Sequence, residues 1–229
     1  TGIVILTYIP PQPLPSANGI YGVKLLNDEY TGVIFNIRRG SDNATDDFFY
    51  TNSTLTNSSG TTLTTFLSGS IAYITIWYDQ SSKGNNGTQN NPTLQPIYDP
   101  INLYVDFKPN RNFSLPDGTV PFGNLNYTVA IKHNSIGNGG TWLCSGTYTT
   151  NQNNCFRTNG AQYFNYWFGY GFNSGTYAVG NNVIFQYDGT TVSCYVNSQF
   201  NASNTPGVLR KSTNIDNFIG ARPGNAEPL

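Results

Sequence analysis

The sequence predicts an all-β fold built from antiparallel sheets, and two observations support this prediction. Short runs of β-branched and aromatic residues recur along the chain, and Gly, Asn, Asp or Pro bounds each of them, which is the pattern of strands joined by turns. No segment keeps a helical spacing of apolar residues over several turns. Many short strands without alternating helices are typical of two packed sheets, so we expect a two-sheet antiparallel jelly-roll sandwich.

The elements are predicted in order from the N-terminus. Residues 1–18 are rich in proline, which has no amide donor, and are expected to form a linker or an edge segment before a single domain at 19–229. Residues 21–30 could form a short helix as the alternative to a strand at 21–26. Residues 40–70 have few apolar side chains and are expected to form a long surface excursion. Asp188-Gly189 predicts a hairpin, because Gly accepts the positive φ that a primed turn requires. Strands are predicted at 21–26, 32–39, 71–78, 101–107, 126–133, 140–146, 163–170, 176–180, 183–188, 190–197, 207–211 and 215–221.

Composition excludes some classes of partner. Charged residues make up 10% of the chain and the formal net charge is −1, so the basic surface that nucleic-acid binding requires is absent. No apolar run approaches the roughly 20 residues that cross a bilayer, so no membrane span is predicted. The 229 residues include no Met, so we expect a piece of a longer protein whose targeting signals lie elsewhere. The oligomeric state cannot be predicted.

Three cysteines allow one disulfide and leave one thiol over. Cys144 and Cys155 flank a polar segment that a disulfide would close as a hairpin loop. Cys194 alternates with valines in a predicted strand and is therefore expected to point inward as a buried, inert thiol.

Aromatic and polar side chains share one face of two predicted strands. Along residues 71–78 the aliphatic side chains are expected to face the core, and the same alternation recurs along residues 101–108. Rings beside carboxylates suit a sugar, because its apolar faces stack on rings and its hydroxyls seek fixed polar partners. The alternative is that these rings cover a second sheet or a helix. The candidate ligand-binding residues are Tyr73, Trp77, Tyr104, Asp106 and Trp167.

Asp79 and His133 are candidate catalytic residues, each with a structural alternative. Asp79 begins a polar turn segment and is expected to accept hydrogen bonds from the turn backbone, although a catalytic carboxylate is the other interpretation. His133, the sole histidine, would act as a base with a tyrosine, or be structural. The acidic loop with Asp42, Asp46 and Asp47 offers oxygen ligands for Ca²⁺, or is simply solvated. No other cofactor is predicted.

Two groups of segments resemble known families. YGVKLLNDEYTGVIFNIRRGSDNATDDF and ITIWYDQSSKGNNGTQNNPTLQP resemble the catalytic domain of fungal α-L-arabinofuranosidase B. FRTNGAQYFNYWFGYGFNSGTYAVGNNVIFQYDGTTVSCYVN and NFIGARPGN resemble a laminin G-like, concanavalin A-like jelly roll. Together these resemblances span roughly residues 19–224, and they imply two stacked antiparallel sheets, one of them concave, with ligands on the concave face or its rim.

The resemblance also implies a catalytic pair that this chain does not match. The arabinofuranosidase family uses a Glu nucleophile and an Asp acid/base, and retaining glycosidases hold two carboxyls about 5 Å apart. Glu29 and Glu227 are the only glutamates, and neither stands where the family places its nucleophile. The family's vicinal cysteines are missing too, since Asn154 precedes Cys155. No catalytic residue is therefore carried over.

Three functions remain open at this point. The first is a carbohydrate-recognition domain of a larger surface, secreted or virion protein, directed at cell-wall or surface polysaccharide and located outside the cell or on a virion surface. The second is a glycan-degrading glycosidase or polysaccharide lyase on the same fold. The third is a purely structural surface domain.

Overall fold

The computed structural model describes residues 2–4, 17–120, 123, 125–133, 140–147, 152–167, 171–207 and 217–221. In this part of the chain one helix of five residues, α1 (Leu63–Leu67), accompanies the strands, and no helix is long and apolar enough to cross a membrane. The strands are β1 (Gly2–Val4), β2 (Val33–Arg39), β3 (Thr45–Thr51), β4 (Thr54–Thr56), β5 (Ala72–Trp77), β6 (Gly87–Thr88), β7 (Ile97–Asp99), β8 (Tyr104–Asp106), β9 (Phe113–Leu115), β10 (Tyr127–His133), β11 (Thr141–Gly146), β12 (Asn153–Asn159), β13 (Gln162–Trp167), β14 (Phe172–Thr176), β15 (Asn182–Tyr187), β16 (Val192–Val196), β17 (Gln199–Asn204) and β18 (Asn217–Ile219).

The strands form two antiparallel sheets that meet at β5. The first sheet runs in the order β17-β16-β15-β10-β1-β8-β7, and the second in the order β14-β13-β12-β11-β18-β9-β6. Ala72 and Tyr73 of β5 pair with β7, whereas Ile76 and Trp77 pair with β6. The other edge of β5 pairs with β2, which continues into β3 and β4. The predicted all-β sandwich of two antiparallel sheets is confirmed.

The core lies between the two sheets and is rich in aromatic rings. Phe156 of the second sheet packs against Phe185 of the first, with ring centroids 5.2 Å apart. Near β5, the Trp77 ring lies 5.9 Å from that of Phe113 and 6.5 Å from that of Phe107. Burying such large side chains is the main favourable contribution to folding, so these rings supply much of the driving force for the packing of the two sheets.

Buried amides fill the seam where the second sheet diverges from the first. The Gln89 side chain donates to the Asn112 backbone carbonyl at 3.0 Å and to its side-chain oxygen at 2.9 Å. Gln95 donates to the Gln89 carbonyl at 3.0 Å and accepts from Arg38 Nε at 2.7 Å. Polar groups are tolerated in this position because each finds a partner.

Several predicted elements differ from the observed ones, and the strand predicted at 176–180 is one of them, because β14 ends at Thr176 and a turn follows. Residues 40–70 are not a mere surface excursion, because they contain β3, β4 and α1 and bury Phe48, Leu55, Leu63 and Leu67. Their few apolar side chains are placed on the inner side of these elements. Residues 21–30 form turns instead of a helix or a strand, because their backbone is bonded to the Gln80 side chain, which accepts from the Leu26 amide at 2.8 Å.

The predicted β15–β16 hairpin is confirmed. Asp188 N donates to the Thr191 carbonyl at 3.2 Å, so the two central residues of the turn are Gly189 and Thr190. Gly189 has φ 96°, the conformation that favours glycine. The N-terminal segment contributes β1 between β8 and β10, and the division at residue 18 remains a prediction.

Candidate functional site

Three of the predicted ligand-binding residues lie on one surface of the first sheet. Directly opposite residues of antiparallel strands share a face, and Tyr73 pairs with Ile97, which pairs with Asp106. Asp99 pairs with Tyr104 on the same hairpin. The intervening residues Tyr98 and Val105 are buried in the core, so the first group points outward. We call this surface the outer face; its residues are Tyr73, Ile97, Asp99, Tyr104 and Asp106.

Asp99 and Asp106 flank the Tyr104 ring. Asp99 Oδ1 accepts from the Ile101 amide at 2.8 Å and Asn102 N at 2.9 Å. Burial raises the pKa of Asp99, but the hydrogen bonds that it accepts outweigh this effect and leave the pKa below its ordinary value. Partial burial and the two nearby carboxylates together raise the pKa of Tyr104. The outer face therefore presents a neutral phenol between two carboxylates.

Arg38 forms the other side of the outer face. Its guanidinium carbon lies 4.4 Å from the centroid of the Tyr73 ring, within cation–π range. Its Nη1 donates to Asn43 Oδ1 at 2.7 Å, which fixes the guanidinium over the ring. Arg38 and Asp99 were not among the predicted site residues. The Arg38–Arg39 pair and the Asp99-Pro100 turn were the available signals, but only the strand register shows that both lie beside the tyrosines.

Trp77 is not on the outer face, so its predicted exposure is wrong. The side chain is fully buried, and Nε1 donates to the Gly22 carbonyl at 3.1 Å. The reason is a register shift between β2 and β5, where Asn36 pairs with Ile76 and Ile37 pairs with Ile74. Thr75 is therefore an extra residue that reverses the alternation along β5. Trp77 turns inward to pack beside Phe35.

Asp79 is buried and fixes the corner after β5. Its Oδ1 accepts from the Ile20 and Ser81 amides, both at 2.8 Å. Its Oδ2 accepts from Ser81 Oγ at 2.6 Å and from the Asn85 amide at 3.1 Å. Asp79 is 3% exposed, and four donors surround its two oxygens. This geometry favours the structural interpretation of Asp79 over the catalytic one.

His133 is fully buried within a cluster of rings. Its ring centroid lies 4.6 Å from that of Tyr177 and 5.2 Å from that of Trp142. Nδ1 lies 3.1 Å from Tyr177 Oη, and Nε2 lies 3.3 Å from Tyr163 Oη. Burial lowers the pKa of His133 to about 4, so the imidazole is neutral at physiological pH. A glycan cannot contact it without opening the sandwich.

The three aspartates of the proposed Ca²⁺ site have separate partners. Asp42 forms a bidentate ion pair with Arg39, whose hydrogen bonds lower the pKa of Asp42 to about 2. Asp46 accepts from Asn57 Nδ2 at 2.6 Å, whereas Asp47 accepts from Asn36 Nδ2 at 2.7 Å on the other face of β3. Within the described ranges no three acidic, His or Cys side chains group as metal ligands, so the structure does not assemble the predicted site.

Cys144 and Cys155 are directly opposite on β11 and β12 and form a disulfide, with Cα atoms 4.1 Å apart. Cys194 is a free, buried thiol, and burial raises its pKa to about 11, so it is unreactive at neutral pH. Trp167 belongs to β13, but its side chain lies outside the described part of the structure.

The comparisons with known proteins agree with this scaffold. The family model of the α-L-arabinofuranosidase B catalytic domain matches residues 14–105. A curated α-L-arabinofuranosidase B from Penicillium canescens is 38% identical over 80 residues, which cover 35% of this chain and 17% of that protein. The resemblance to the arabinofuranosidase B scaffold is thus confirmed over the first part of the chain, and the chain spans a minor part of this curated relative's length.

Two solved structures are similar over most of the chain. A family 54 α-L-arabinofuranosidase soaked with a cyclic sulfate inhibitor has a TM-score of 0.51 and 12% identity, and the match covers 86% of this chain and 56% of that one. Domain 4 of an extracellular family 43 arabinanase from Geobacillus stearothermophilus, in complex with arabinotriose, has a TM-score of 0.40 and 14% identity over 87% of each chain. The first match shows a shared fold. The relatives are glycoside hydrolases, which supports a carbohydrate-related function.

Proposed function

We propose that this chain is a carbohydrate-recognition domain of a larger surface, secreted or virion protein, with a concanavalin A-like or laminin G-like jelly roll directed at cell-wall or surface polysaccharide. The observation that supports the proposal is the outer face, where Tyr73, Tyr104 and Asp106 come together from separate segments. We place the protein outside the cell or on a virion surface, because that is where such a polysaccharide is met.

The chemistry of the outer face suits a sugar. Tyr104 offers an apolar ring on which the C–H groups of a sugar can stack, and aromatic contacts of this kind are worth about 0.5 to 1.5 kcal/mol beyond the area they bury. Asp106 places a carboxylate beside that ring, toward which sugar hydroxyls can donate. Arg38 adds a donor on the far side of Tyr73. A few polar groups around an apolar platform are typical of carbohydrate recognition.

Recognition is favoured over cleavage because the candidate catalytic groups have structural roles. Asp79 is surrounded by four hydrogen-bond donors, and His133 is fully buried beside aromatic rings. Asp99 accepts the backbone amides of its own turn. Each of these groups would need to leave its partners before it could exchange a proton with a substrate.

A glycan-degrading enzyme is the second candidate, supported by the match of residues 14–105 to a catalytic-domain model. In that case a glycosidase would need a pair of carboxylates across the scissile bond, and a lyase would need a base beside a uronate. Release of reducing or unsaturated sugars separates these activities from binding. A purely structural domain would show neither retention nor release.

The test uses purified algal, plant, fungal and bacterial wall polysaccharides, with retention and sugar release measured on the same samples. Tyr104→Ala should weaken retention roughly ten-fold, the equivalent of about 1.4 kcal/mol, and leave the melting temperature unchanged. Phe200→Ala is the matched control, because Phe200 is an aromatic residue that is 60% exposed on β17, away from the outer face. Equal retention of Tyr104→Ala and wild type would show that the outer face is not the binding surface.

A further inference from the structure

A strip of polar side chains lies on the inner surface of the second sheet, where apolar residues are expected. Asn217, Ser145 and Asn154 are directly opposite one another on β18, β11 and β12. Asn165 of β13 lies diagonally beside Asn154 and donates to its Oδ1 at 2.8 Å. All four are at most 2% exposed. We call these four residues the inner polar strip.

The inner polar strip points toward the first sheet. Asn154 Nδ2 donates at 3.0 Å to Oη of Tyr127, which belongs to β10 of that sheet. Two residues further along β12, Phe156 packs against Phe185 of the first sheet. Because opposite residues share a face, Ser145 and Asn217 point into the same space between the layers.

Three atoms of the strip accept or donate no hydrogen bond among the described residues: Asn165 Oδ1, Asn217 Oδ1 and Ser145 Oγ. The amide orientations are fixed by their other ends. Asn165 Nδ2 faces two oxygens, Asn154 Oδ1 and the Cys155 carbonyl, so its unpaired atom is the oxygen. Asn217 Nδ2 faces the Pro116 carbonyl at 3.3 Å, with the same result.

Burying a polar group without a partner destabilises the folded state, so three such groups in one strip would lower the stability of a domain of this size substantially. The two amide oxygens can only accept hydrogen bonds, and the Ser145 hydroxyl can donate or accept, so a suitable ligand has O–H groups that both donate and accept hydrogen bonds. Water and sugar hydroxyls share this chemistry, and buried water typically makes about three such bonds.

We propose that the inner polar strip is a binding site for hydroxyl groups, held by Asn165 Oδ1, Asn217 Oδ1 and Ser145 Oγ. Ordered water is one source of these hydroxyls, and a sugar that enters between the sheets is the other. The sugar source rests on the proposed function, whereas the water source does not.

The sign of a stability change tests this proposal. Ser145→Ala removes only the hydroxyl, and if that hydroxyl is hydrogen-bonded to a ligand, the melting temperature should fall by about 2 to 4 °C. Thr141→Val is the matched control, because Thr141 Oγ1 is also unpaired but lies four residues earlier on β11, outside the strip. Removing an unpartnered buried hydroxyl should leave the melting temperature unchanged or raise it. If Ser145→Ala behaves like Thr141→Val without sugar and also keeps the wild-type thermal shift with arabinotriose, the proposal is refuted.

Titration with arabinotriose distinguishes the two sources. If water is the source, Ser145→Ala melts lower but any thermal shift with arabinotriose equals that of wild type. If a sugar is the source, Ser145→Ala loses the arabinotriose shift, and Tyr104→Ala keeps it. If only Tyr104→Ala loses the arabinotriose shift, the sugar binds at the outer face and not at the inner polar strip. Failure of the inner polar strip and failure of the proposed function therefore give different results.

Discussion

Replacing Asp79 with Asn tests whether this carboxylate holds the corner after β5 or performs chemistry. Asn keeps one oxygen, which can still accept from the Ile20 and Ser81 amides as Oδ1 does now. The new amide group would face Ser81 Oγ and the Asn85 amide. The Ser81 hydroxyl can rotate to accept, but the Asn85 amide would meet a second donor and lose its partner.

The expected loss of stability follows from these contacts. Leaving the Asn85 amide without its acceptor costs about 1 to 3 kcal/mol, and the two retained bonds weaken by roughly half when the charge is lost. The sum is about 3 kcal/mol. For a domain of 150 to 250 residues this corresponds to a melting temperature about 6 to 12 °C lower.

The assay is thermal unfolding of Asp79→Asn beside Asp117→Asn, which makes the same chemical change at an exposed aspartate after β9. We expect the control to melt like the wild type. Release of sugar from wall polysaccharide is measured on the same variants below their melting temperatures. A fully stable Asp79→Asn that has lost sugar release would contradict the structural role and identify Asp79 as catalytic.

Two further predictions concern buried rings. Burial lowers the pKa of His133 from 6.5 to about 4, so the unfolded chain takes up the proton first as the pH falls. The free energy of unfolding should therefore decrease between pH 6.5 and pH 4, by about 2 kcal/mol at pH 5. Urea unfolding at pH 7 and pH 5 measures this pH dependence of stability, and His133→Phe should reduce it. An equal pH dependence in the wild type and in His133→Phe would contradict the prediction. Trp77→Ala should lower the free energy of unfolding by about 3 to 5 kcal/mol by creating a cavity in the core, and Trp77→Phe should lower it less. A wild-type denaturation midpoint for Trp77→Ala would disprove the burial of Trp77.

The success of the sequence-based prediction depends on whether the strands are regular. Along β8 the register is uninterrupted, so alternation correctly separates Val105 from Tyr104 and Asp106. Along β5 one extra residue, Thr75, reverses the alternation, and the presence of a threonine does not predict a β-bulge. The bulge is set by pairing with β2, a contact that the sequence of β5 does not contain.

The prediction for residues 40–70 was wrong for a related reason. Its apolar residues are few, and composition therefore indicates a loop, but Phe48, Leu55 and Leu67 are spaced so that β3, β4 and α1 each direct them inward. The inner polar strip shows the opposite case. Ser145 and Asn217 read as ordinary polar strand residues, and only the assembled sandwich shows that they face its interior.

The shared strand β5 also determines how the domain would carry a mechanical load. A polysaccharide bound at Tyr73 would pull on the half of β5 that pairs with β7, while the other half is bonded to β6 of the opposite layer. Tension on one layer is thereby passed directly to the other through a single continuous backbone, and the amides of Gln89 and Gln95 resist the opening of the seam. Sliding of one layer against the other would therefore strain β5, so we expect a pulling force on the domain to open the two layers together and not one sheet at a time.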